Sequence, residues 1–223
     1  MWRNNLQKKV ISFSLWGNRA IYTYGAIENA KIASEVYPGW QTNIVVHKDV
    51  DKRIVPKIRE VFDWVTINNM DNPLYHGLFW RFETMFYDDV DICVFRDCDG
   101  RLCDKEFQAV QEWLKSDKQI HAMRDNINHF EPIHGGMWGV KKQGPVNLRM
   151  LYRLIKKFDT GGYDRDQIGL KRVYNGIKGN ILAHDDRGMF DGKKFPAHKP
   201  FKYGSYIGEL IKINGDVGIR ERP

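Results

Sequence analysis

Two aspartates, Asp97 and Asp99, stand two residues apart directly after the apolar segment 92–95. A near-continuous apolar run of this kind predicts a strand that is buried on both faces, as in parallel sheets. Ligands of open α/β sheets bind at the carboxyl ends of the strands. In an extended chain the side chains at i and i+2 also point to the same side. The two carboxylates are therefore predicted to face one binding site together.

The spacing of this pair favours a metal site, because adjacent carboxylates repel each other unless a cation lies between them. Their oxygens suit Mg²⁺ or Mn²⁺, which proteins usually hold through one or two carboxylates plus substrate phosphates. Arg96 and Arg101 flank the pair, and arginines bind phosphate oxygens well. We therefore predict a divalent cation and a diphosphate-bearing substrate. A second interpretation stays open on spacing alone: an aspartate caps the helix expected near Asp104, and the arginines form structural ion pairs.

Strand-like and helix-like segments alternate around the pair. Short apolar or β-branched runs predict strands at 10–14, 43–46, 64–67, 92–95 and 119–123. Apolar residues at helical spacing predict helices at 20–37, 54–62, 78–86 and 107–114. This alternation predicts an α/β fold with a mostly parallel central sheet and helices on both faces.

The C-terminal third is less regular. It contains a predicted strand at 137–140, a helix at 148–158 that Gly161-Gly162 ends, a shorter helix at 166–174 and a strand at 181–184. We expect a single domain over residues 1–223. A loop-rich tail is placed at 185–223.

Composition narrows the class of protein. With 223 residues, 42% apolar and 28% charged, the chain is neither disordered nor a membrane protein. No apolar run approaches the roughly 18 residues of a spanning helix. Residues 1–10 lack a secretory pattern, and Cys93, Cys98 and Cys103 are read as reduced thiols. We expect a cytoplasmic protein. The net charge of +7 fits an anionic partner and a solvated basic surface equally well.

The apolar strand with Asp97-Cys98-Asp99 resembles the DxD motif of GT-A-fold glycosyltransferases. Further segments are similar to that family in order and spacing: Ser14-Leu15-Trp16-Gly17, Phe79-Trp80-Arg81-Phe82, Arg124-Asp125, 134–139, Asp166-Gln167, His184-Asp185, Phe195-Pro196 and Tyr206-Ile207-Gly208. The combination, over about residues 10–208, resembles small transferase domains of bacteria, phages and large DNA viruses, including the chlorovirus type. Cys98, Gly100 and Asp186 depart from the more usual pattern.

The resemblance implies a metal-dependent glycosyltransferase with Mn²⁺ or Mg²⁺ as cofactor. It also implies a nucleotide-binding half at about 8–103 and a donor and acceptor half at about 104–208. It would move a hexosyl or deoxyhexosyl group from a nucleotide-diphosphate donor, with a UDP-sugar expected, to a hydroxyl of a glycan or other acceptor. Nucleic acid is not an expected partner, and the compartment implied is a bacterial or infected-host cytoplasm. Asp97 and Asp99 would hold the metal. His184 either completes the metal shell or is a structural histidine.

The donor-binding residues that the resemblance implies come from three segments of the chain. Gly17 permits a close backbone approach, and Trp16 either packs on the base or fills the core. Arg81 lies off the apolar stripe of its helix and either binds pyrophosphate or forms a surface ion pair. The full set implied for the nucleotide and donor sugar is Ser14, Leu15, Trp16, Gly17, Tyr22, Arg81, Asp97, Cys98, His134, Gly135 and Gly136.

Three further aspartates are candidates for hydrogen bonds to sugar hydroxyls. Asp166 and Asp125 are the candidate catalytic residues, and Asp166 is favoured as general base if the transfer inverts the anomeric centre. Asp164 and Gln167 are assigned to the acceptor, with N-capping of the next helix as the alternative for Asp164.

Two other functions fit parts of this pattern. Paired aspartates on a basic protein also suit a metal-dependent nuclease or phosphoesterase, which needs more carboxylates around a second ion. A non-catalytic carbohydrate-binding module on the same fold is the third interpretation. The presence of Asp97, Asp99, Arg81 and His184 together favours the enzyme.

Overall fold

The computed structural model describes residues 7–71, 76–158 and 164–218, and the strands and helices alternate there as predicted. The strands are β1 Lys9–Leu15, β2 Gln41–His47, β3 Trp64–Asn68, β4 Ile92–Arg96, β5 Ile120–Arg124, β6 Met137–Lys141 and β7 Ile181–Asp185. The helices are α1 Ala20–Val36, α2 Val55–Val61, α3 Gly77–Glu83, α4 Asp104–Leu114, α5 Leu148–Lys157 and α6 Arg165–Ile177. Short 3₁₀ turns follow α3 and α6. The predicted break at Gly161-Gly162 lies outside the described residues.

The seven strands form one sheet in the order β3-β2-β1-β4-β6-β5-β7. The paired neighbours are parallel except where β6 joins β4 and β5, so β6 alone runs opposite to the other six. The predicted fold class, a mostly parallel sheet in a single α/β domain, is confirmed. The carboxyl ends of β4 and β5 and the start of β6 consequently share one edge of the sheet. This places residues 97–99 beside residues 134–136.

Apolar side chains cover both faces of the sheet, and β4 contributes to each. Ile92 and Val94 belong to the core under α1, α2 and α4, whereas Cys93 and Phe95 belong to the core under α3, α5 and α6. All five residues of β4 are buried. The strand that leads into the Asp-x-Asp pair is therefore fixed from both sides, which is what its unbroken apolar sequence predicts.

Helix α1 closes directly onto the turn that follows β4. Asn29 donates from Nδ2 to the Gly100 carbonyl at 2.8 Å, and its Oδ1 accepts from the Leu102 amide at 3.0 Å. A Cβ at Gly25 would lie 2.0 Å from the carbonyl oxygen of Cys98, so only glycine allows this approach. The turn is thus held through its main chain by a helix that lies about 70 residues earlier in the sequence.

Residues 186–218, here called the C-terminal strap, follow β7 without a helix or a named strand. The tail predicted at 185–223 begins inside β7, and its last five residues lie outside the described residues. In this range the structure shows only isolated bridges, His184 to Lys193 and Ile211 to Val217. Ile207, Leu210 and Ile211 are nevertheless buried. The strap therefore packs on the domain through side chains rather than through regular structure. None of the helices in the described ranges is long and apolar enough to cross a lipid bilayer.

We expect Gly25→Ala to lower the free energy of unfolding by about 2 kcal/mol, because the added methyl meets a backbone carbonyl that cannot move freely. The matched control is Gly176→Ala in α6, where a Cβ meets nothing within 4 Å. That change should raise stability by about 0.5–1 kcal/mol. Urea unfolding of both variants tests the difference, and equal effects would contradict the close packing of α1 on the turn.

Candidate active site

A buried arginine joins two carboxylates at the edge of the sheet. Arg81 of α3 donates from Nη1 to Asp97 Oδ1 at 2.6 Å and from Nη2 to Asp166 Oδ2 at 2.8 Å. Arg81 is 2% exposed and Asp166 is 3% exposed, whereas the side chain of Asp97 keeps 31% of its surface accessible. The cluster brings together α3, the turn after β4 and the first turn of α6. Arg81, Asp97 and Asp166 were each predicted as site residues, and the structure makes them one unit.

The charges of this cluster shift the acidity of its members. Burial opposes the charge of Arg81, but the Asp97 and Asp166 carboxylates outweigh burial and raise the pKa of Arg81. Burial raises the pKa of Asp166 to about 6, Arg81 works against this shift, and the charge of Asp97 adds to it. Asp166 is therefore a carboxylate near neutral pH that accepts a proton more readily than an ordinary aspartate.

The connection into β6 lies against both carboxylates. A Cβ at Gly135 would lie 2.0 Å from Asp166 Oδ2, and one at Gly136 would lie 2.1 Å from Asp97 Oδ2. Glycine at both positions therefore lets the main chain approach the oxygens that a side chain would cover. The predicted approach of a sugar ring to these two glycines stays a prediction.

His134 precedes the two glycines and is 8% exposed. Burial, followed by the neighbouring His129, lowers its pKa to about 4, although a hydrogen bond with the Gln167 side chain works in the opposite direction. Its Nε2 atom is buried and meets no hydrogen-bond partner among the described residues. The imidazole is thus neutral at physiological pH.

The strap covers the second aspartate of the pair. Asp99 is 2% exposed, and its carbonyl oxygen accepts from the Ile211 amide at 2.9 Å. A Cβ at Gly100 would lie 3.1 Å from Gly208 of the strap. Cys98 points away from this surface, since its thiol donates to the Ser14 carbonyl at 3.4 Å and burial raises its pKa. The Cys98 side chain, predicted to bind the donor, instead ties the turn to β1.

The donor atoms of the turn fit a hard divalent cation. Asp97 and Asp99 supply carboxylate oxygens from positions i and i+2, and one of them is accessible. Within the described ranges no group of three His, Cys, Asp or Glu side chains is arranged to hold a metal. This set matches an ion that takes one or two carboxylates and completes its shell with substrate phosphate and water.

His184 is not brought to this pair. Its Nδ1 lies 2.9 Å from Nε2 of His121, and its Nε2 lies 3.0 Å from Glu112 Oε2 of α4. With both ring nitrogens hydrogen-bonded and no exposed side-chain surface, the residue is placed as a buried structural histidine. The predicted metal ligation by His184 is corrected accordingly.

Asp125 is also placed differently from its predicted catalytic role. Its side chain is fully buried and accepts a hydrogen bond from the Ile207 main-chain amide at 3.0 Å. Lys105 Nζ lies 3.1 Å from the same carboxylate, and His129 Nδ1 lies 3.3 Å from it. Lys105 also donates to Asp186 at 2.7 Å. Because no face of the carboxylate reaches solvent, it anchors the strap to β5 rather than meeting a sugar hydroxyl.

Trp16, Trp80 and His47, here called the aromatic shelf, lie together at the carboxyl ends of β1 and β2. Trp16 is half-buried and meets Trp80 edge-on at 6.4 Å, and Trp80 stacks on His47 at 5.7 Å. Gly77 of α3 lets Trp16 pack here, since a Cβ would lie 2.2 Å from its ring. Sequence reasoning missed His47, although its position at the end of the β-branched strand β2 was a usable signal.

The other residues predicted around the nucleotide divide between core and surface. Gly17 is exposed and has φ +69°, a conformation that favours glycine, at the turn into α1. Leu15 is 1% exposed and belongs to the core, which corrects its predicted contact with the nucleotide. Ser14 is buried, and its carbonyl is the acceptor for Cys98. Tyr22 packs partly buried against the same core.

The residues predicted for the acceptor meet in the first turn of α6. Asp164 occupies the N-cap position without a side-chain capping bond, so the capping alternative is not what the structure shows. Its Oδ1 accepts from the side-chain Nε2 of Gln167 at 3.3 Å, and the main-chain N–H of Gln167 donates to Asp166 Oδ1 at 2.9 Å. The two acids and the glutamine therefore share one helix end beside the cluster.

Comparisons with known proteins identify the fold. Neither a protein-family model nor a curated protein matches the sequence. Solved structures do match. The galactosyltransferase LgtC, crystallised with donor and acceptor sugar analogs, is 11% identical with a TM-score of 0.53 over 80% of this chain and 74% of its own. Glucosyl-3-phosphoglycerate synthase from Mycobacterium tuberculosis, with Mn²⁺, UDP-glucose and phosphoglyceric acid, is 11% identical with a TM-score of 0.52 over 87% and 72%.

A mannosyltransferase from Pyrobaculum calidifontis, in complex with GDP-mannose and Mn²⁺, is 14% identical with a TM-score of 0.51 over 82% of this chain and 56% of its own. At such identities the likeness establishes the fold alone. The chain has the GT-A fold of nucleotide-diphospho-sugar transferases, as the resemblance in its sequence implied. The closer likeness to the chlorovirus type stays a prediction.

We expect the raised pKa of Asp166 to appear in the stability of the protein. Its folded pKa of about 6 exceeds its ordinary value of 3.8, so its contribution to stability is full below the ordinary value. That contribution is lost as pH rises through about 6. Relative to Asp166→Asn, the wild type should therefore lose stability between about pH 4 and 6.5. Urea unfolding across this range measures the difference between the two proteins. Parallel curves of stability against pH would contradict a raised pKa of the buried Asp166 carboxyl.

Asp125→Asn should loosen the strap, because it removes the charge opposite the buried Lys105 ammonium. Because Lys105 keeps its bond to Asp186 at 2.7 Å, we expect a cost of about 1–3 kcal/mol, as for an impaired buried hydrogen bond. We expect faster trypsin cleavage at the exposed lysines of the strap, and Asp191→Asn, an exposed strap residue, is the matched control. Equal cleavage of the two variants would show that Asp125 does not anchor the strap.

Proposed function

We propose, on the premise of the GT-A fold, that the protein is a metal-dependent glycosyltransferase. It transfers a sugar from a nucleotide-diphosphate donor, a UDP-sugar, to a hydroxyl of a glycan or similar acceptor. The observation that carries this proposal is the cluster of Arg81, Asp97 and Asp166, with the main chain of Gly135 and Gly136 against both carboxylates. A buried polar cluster at the carboxyl edge of a parallel sheet is the position where ligands of α/β folds bind.

The nucleotide is proposed to bind between the aromatic shelf and the turn after β4. Trp16 offers a half-buried aromatic surface for the base. Asp97 and Asp99 would hold a Mn²⁺ or Mg²⁺ ion, which neutralises charge on the departing diphosphate. The neighbouring structures that contain UDP-glucose with Mn²⁺ and GDP-mannose with Mn²⁺ support a divalent ion and a nucleotide-sugar donor.

The donor sugar is proposed to lie over Gly135 and Gly136. There His134 presents a neutral imidazole, and Asp166 presents an oxygen fixed by Arg81. Hydrogen bonds from sugar hydroxyls to these fixed groups would orient the anomeric carbon. The acceptor then approaches from the first turn of α6, where Asp164 and Gln167 lie.

Asp166 is proposed to act as the general base. A catalytic base works best when its pKa lies near the working pH, and the pKa of Asp166 is raised to about 6 by burial. Arg81 orients this carboxylate and keeps it ionised at neutral pH. The proton of the acceptor hydroxyl passes to an Asp166 oxygen as the hydroxyl oxygen bonds to the anomeric carbon. The bond from that carbon to the diphosphate breaks as the new bond forms, and the nucleoside diphosphate leaves with its electron pair.

The nuclease alternative is less well supported by this cluster. Two-metal chemistry needs a further carboxylate facing a second ion. In the described part of the chain, the next carboxylate of the cluster is Asp166, and the Arg81 guanidinium stands between it and Asp97. A cation there favours a substrate phosphate or hydroxyl over a second metal.

UDP with Mn²⁺ should raise the melting temperature, because a ligand that binds only the folded state stabilises it by mass action. With ligand at 100 times its Kd, the gain is about 2.7 kcal/mol. Asp99→Asn should abolish this gain, and Asp117→Asn, whose side chain is 87% exposed away from the turn, should retain it. Differential scanning fluorimetry gives the shifts, and slow hydrolysis of UDP-sugars gives the activity. No shift with any nucleoside diphosphate would refute the proposal.

A further inference from the structure

Arg101 differs from the other arginines around the turn after β4. Three of these arginines donate to carboxylates. Arg81 bonds Asp97 and Asp166, Arg96 bonds Glu106, and Arg124 bonds Asp185. The Arg101 guanidinium instead donates to backbone carbonyls, to Gly100 at 3.0 Å and to Asp99 and Ile211 at 3.5 Å. In residues 7–71, 76–158 and 164–218, no carboxylate lies within ion-pairing distance of it.

This guanidinium opens onto a polar cavity between α1 and the strap. The cavity has a volume of about 150 Å³ and is lined by Arg101 together with Glu28, Tyr203, Lys212 and Asn214. It is therefore larger than a single water, whose share of liquid volume is about 30 Å³. Its lining includes none of Asp97, Arg81, Asp166 or the aromatic shelf. The cavity is thus distinct from the proposed donor site.

The charges of the lining favour an anion. Arg101 and Lys212 supply two cations, and Tyr203 and Asn214 also line the cavity. Asn214 Nδ2 donates to Asp216 Oδ2 at 2.6 Å, which leaves one N–H of that amide for a ligand. Glu28 is the one acid that lines this cavity, and its carboxylate bonds Lys31 at 2.8 Å on the same helix.

We propose that this cavity binds a single tetrahedral oxyanion, either free phosphate or the phosphate group of a phosphorylated sugar. Arginine and lysine recognise phosphate through charge-assisted hydrogen bonds. Because Arg101 also donates to the carbonyls of Asp99 and Gly100, an anion that fixes Arg101 also steadies the turn that carries Asp97 and Asp99. The Ile211 carbonyl joins the strap to the same guanidinium.

The test is a titration of the full chain with inorganic phosphate at constant ionic strength, followed by isothermal calorimetry. The wild type should bind one phosphate. Lys212→Ala should weaken binding about fivefold, since it removes one partly exposed cation. Glu28→Gln should tighten binding about threefold, because it removes the opposing charge. Lys202→Ala, an exposed strap lysine that does not line the cavity, is the matched control and should bind as the wild type does.

Two further arms separate the outcomes. Repeating the titration with saturating UDP and Mn²⁺ should preserve phosphate binding, at equal or tighter affinity, together with its response to Lys212→Ala. If UDP fails to bind while these responses persist, the donor proposal fails and the anion site stands. A hexose 6-phosphate that binds tighter than inorganic phosphate identifies a phosphorylated sugar, and equal affinity identifies the free ion. No phosphate binding, or binding unchanged in both variants, would overturn the inference.

Discussion

The bridge that Arg81 makes between Asp97 and Asp166 is the interaction on which the site depends. It connects residues that lie 16 and 85 positions away in the chain, and it does so in a buried environment. Removing one partner of a buried ion pair costs about 3–5 kcal/mol, because the remaining charge is left uncompensated. The same contacts that define the candidate site therefore also hold α3 and α6 to the turn after β4.

The turn after β4 is held through its main chain. Asn29 and Arg101 donate to the carbonyl of Gly100, and the Ile211 amide donates to that of Asp99. Asp125 in turn fixes the strap through the Ile207 amide. α1 and the strap therefore fix the main chain of residues 99–102, on which Asp99 stands and which directly follows Asp97 and Cys98.

The sequence predicted the local features well and the long-range polar contacts poorly. The unbroken apolar run of β4 located Asp97 and Asp99, and helical spacing placed Arg81 off the apolar stripe. His184 shows why the long-range contacts could not be predicted from the sequence. Neighbouring strand residues point to opposite faces, and no local signal reveals that His184 meets Glu112 while Asp185 meets Arg124. Gly25 and Asn29 were likewise missed, because their role depends on the packing of α1 against the turn after β4.

The charges of the cluster also connect the two halves of the proposed reaction. The Asp97 carboxylate raises the pKa of Asp166, whereas Arg81 lowers it. In the proposed function a cation neutralises Asp97 when the donor is bound, which removes one of the effects that favour protonated Asp166. Linkage requires the converse as well, so that ionised Asp166 favours the loaded site. A buried base placed one guanidinium away from the metal-binding carboxylate is therefore more fully ionised when there is a donor for the acceptor to attack.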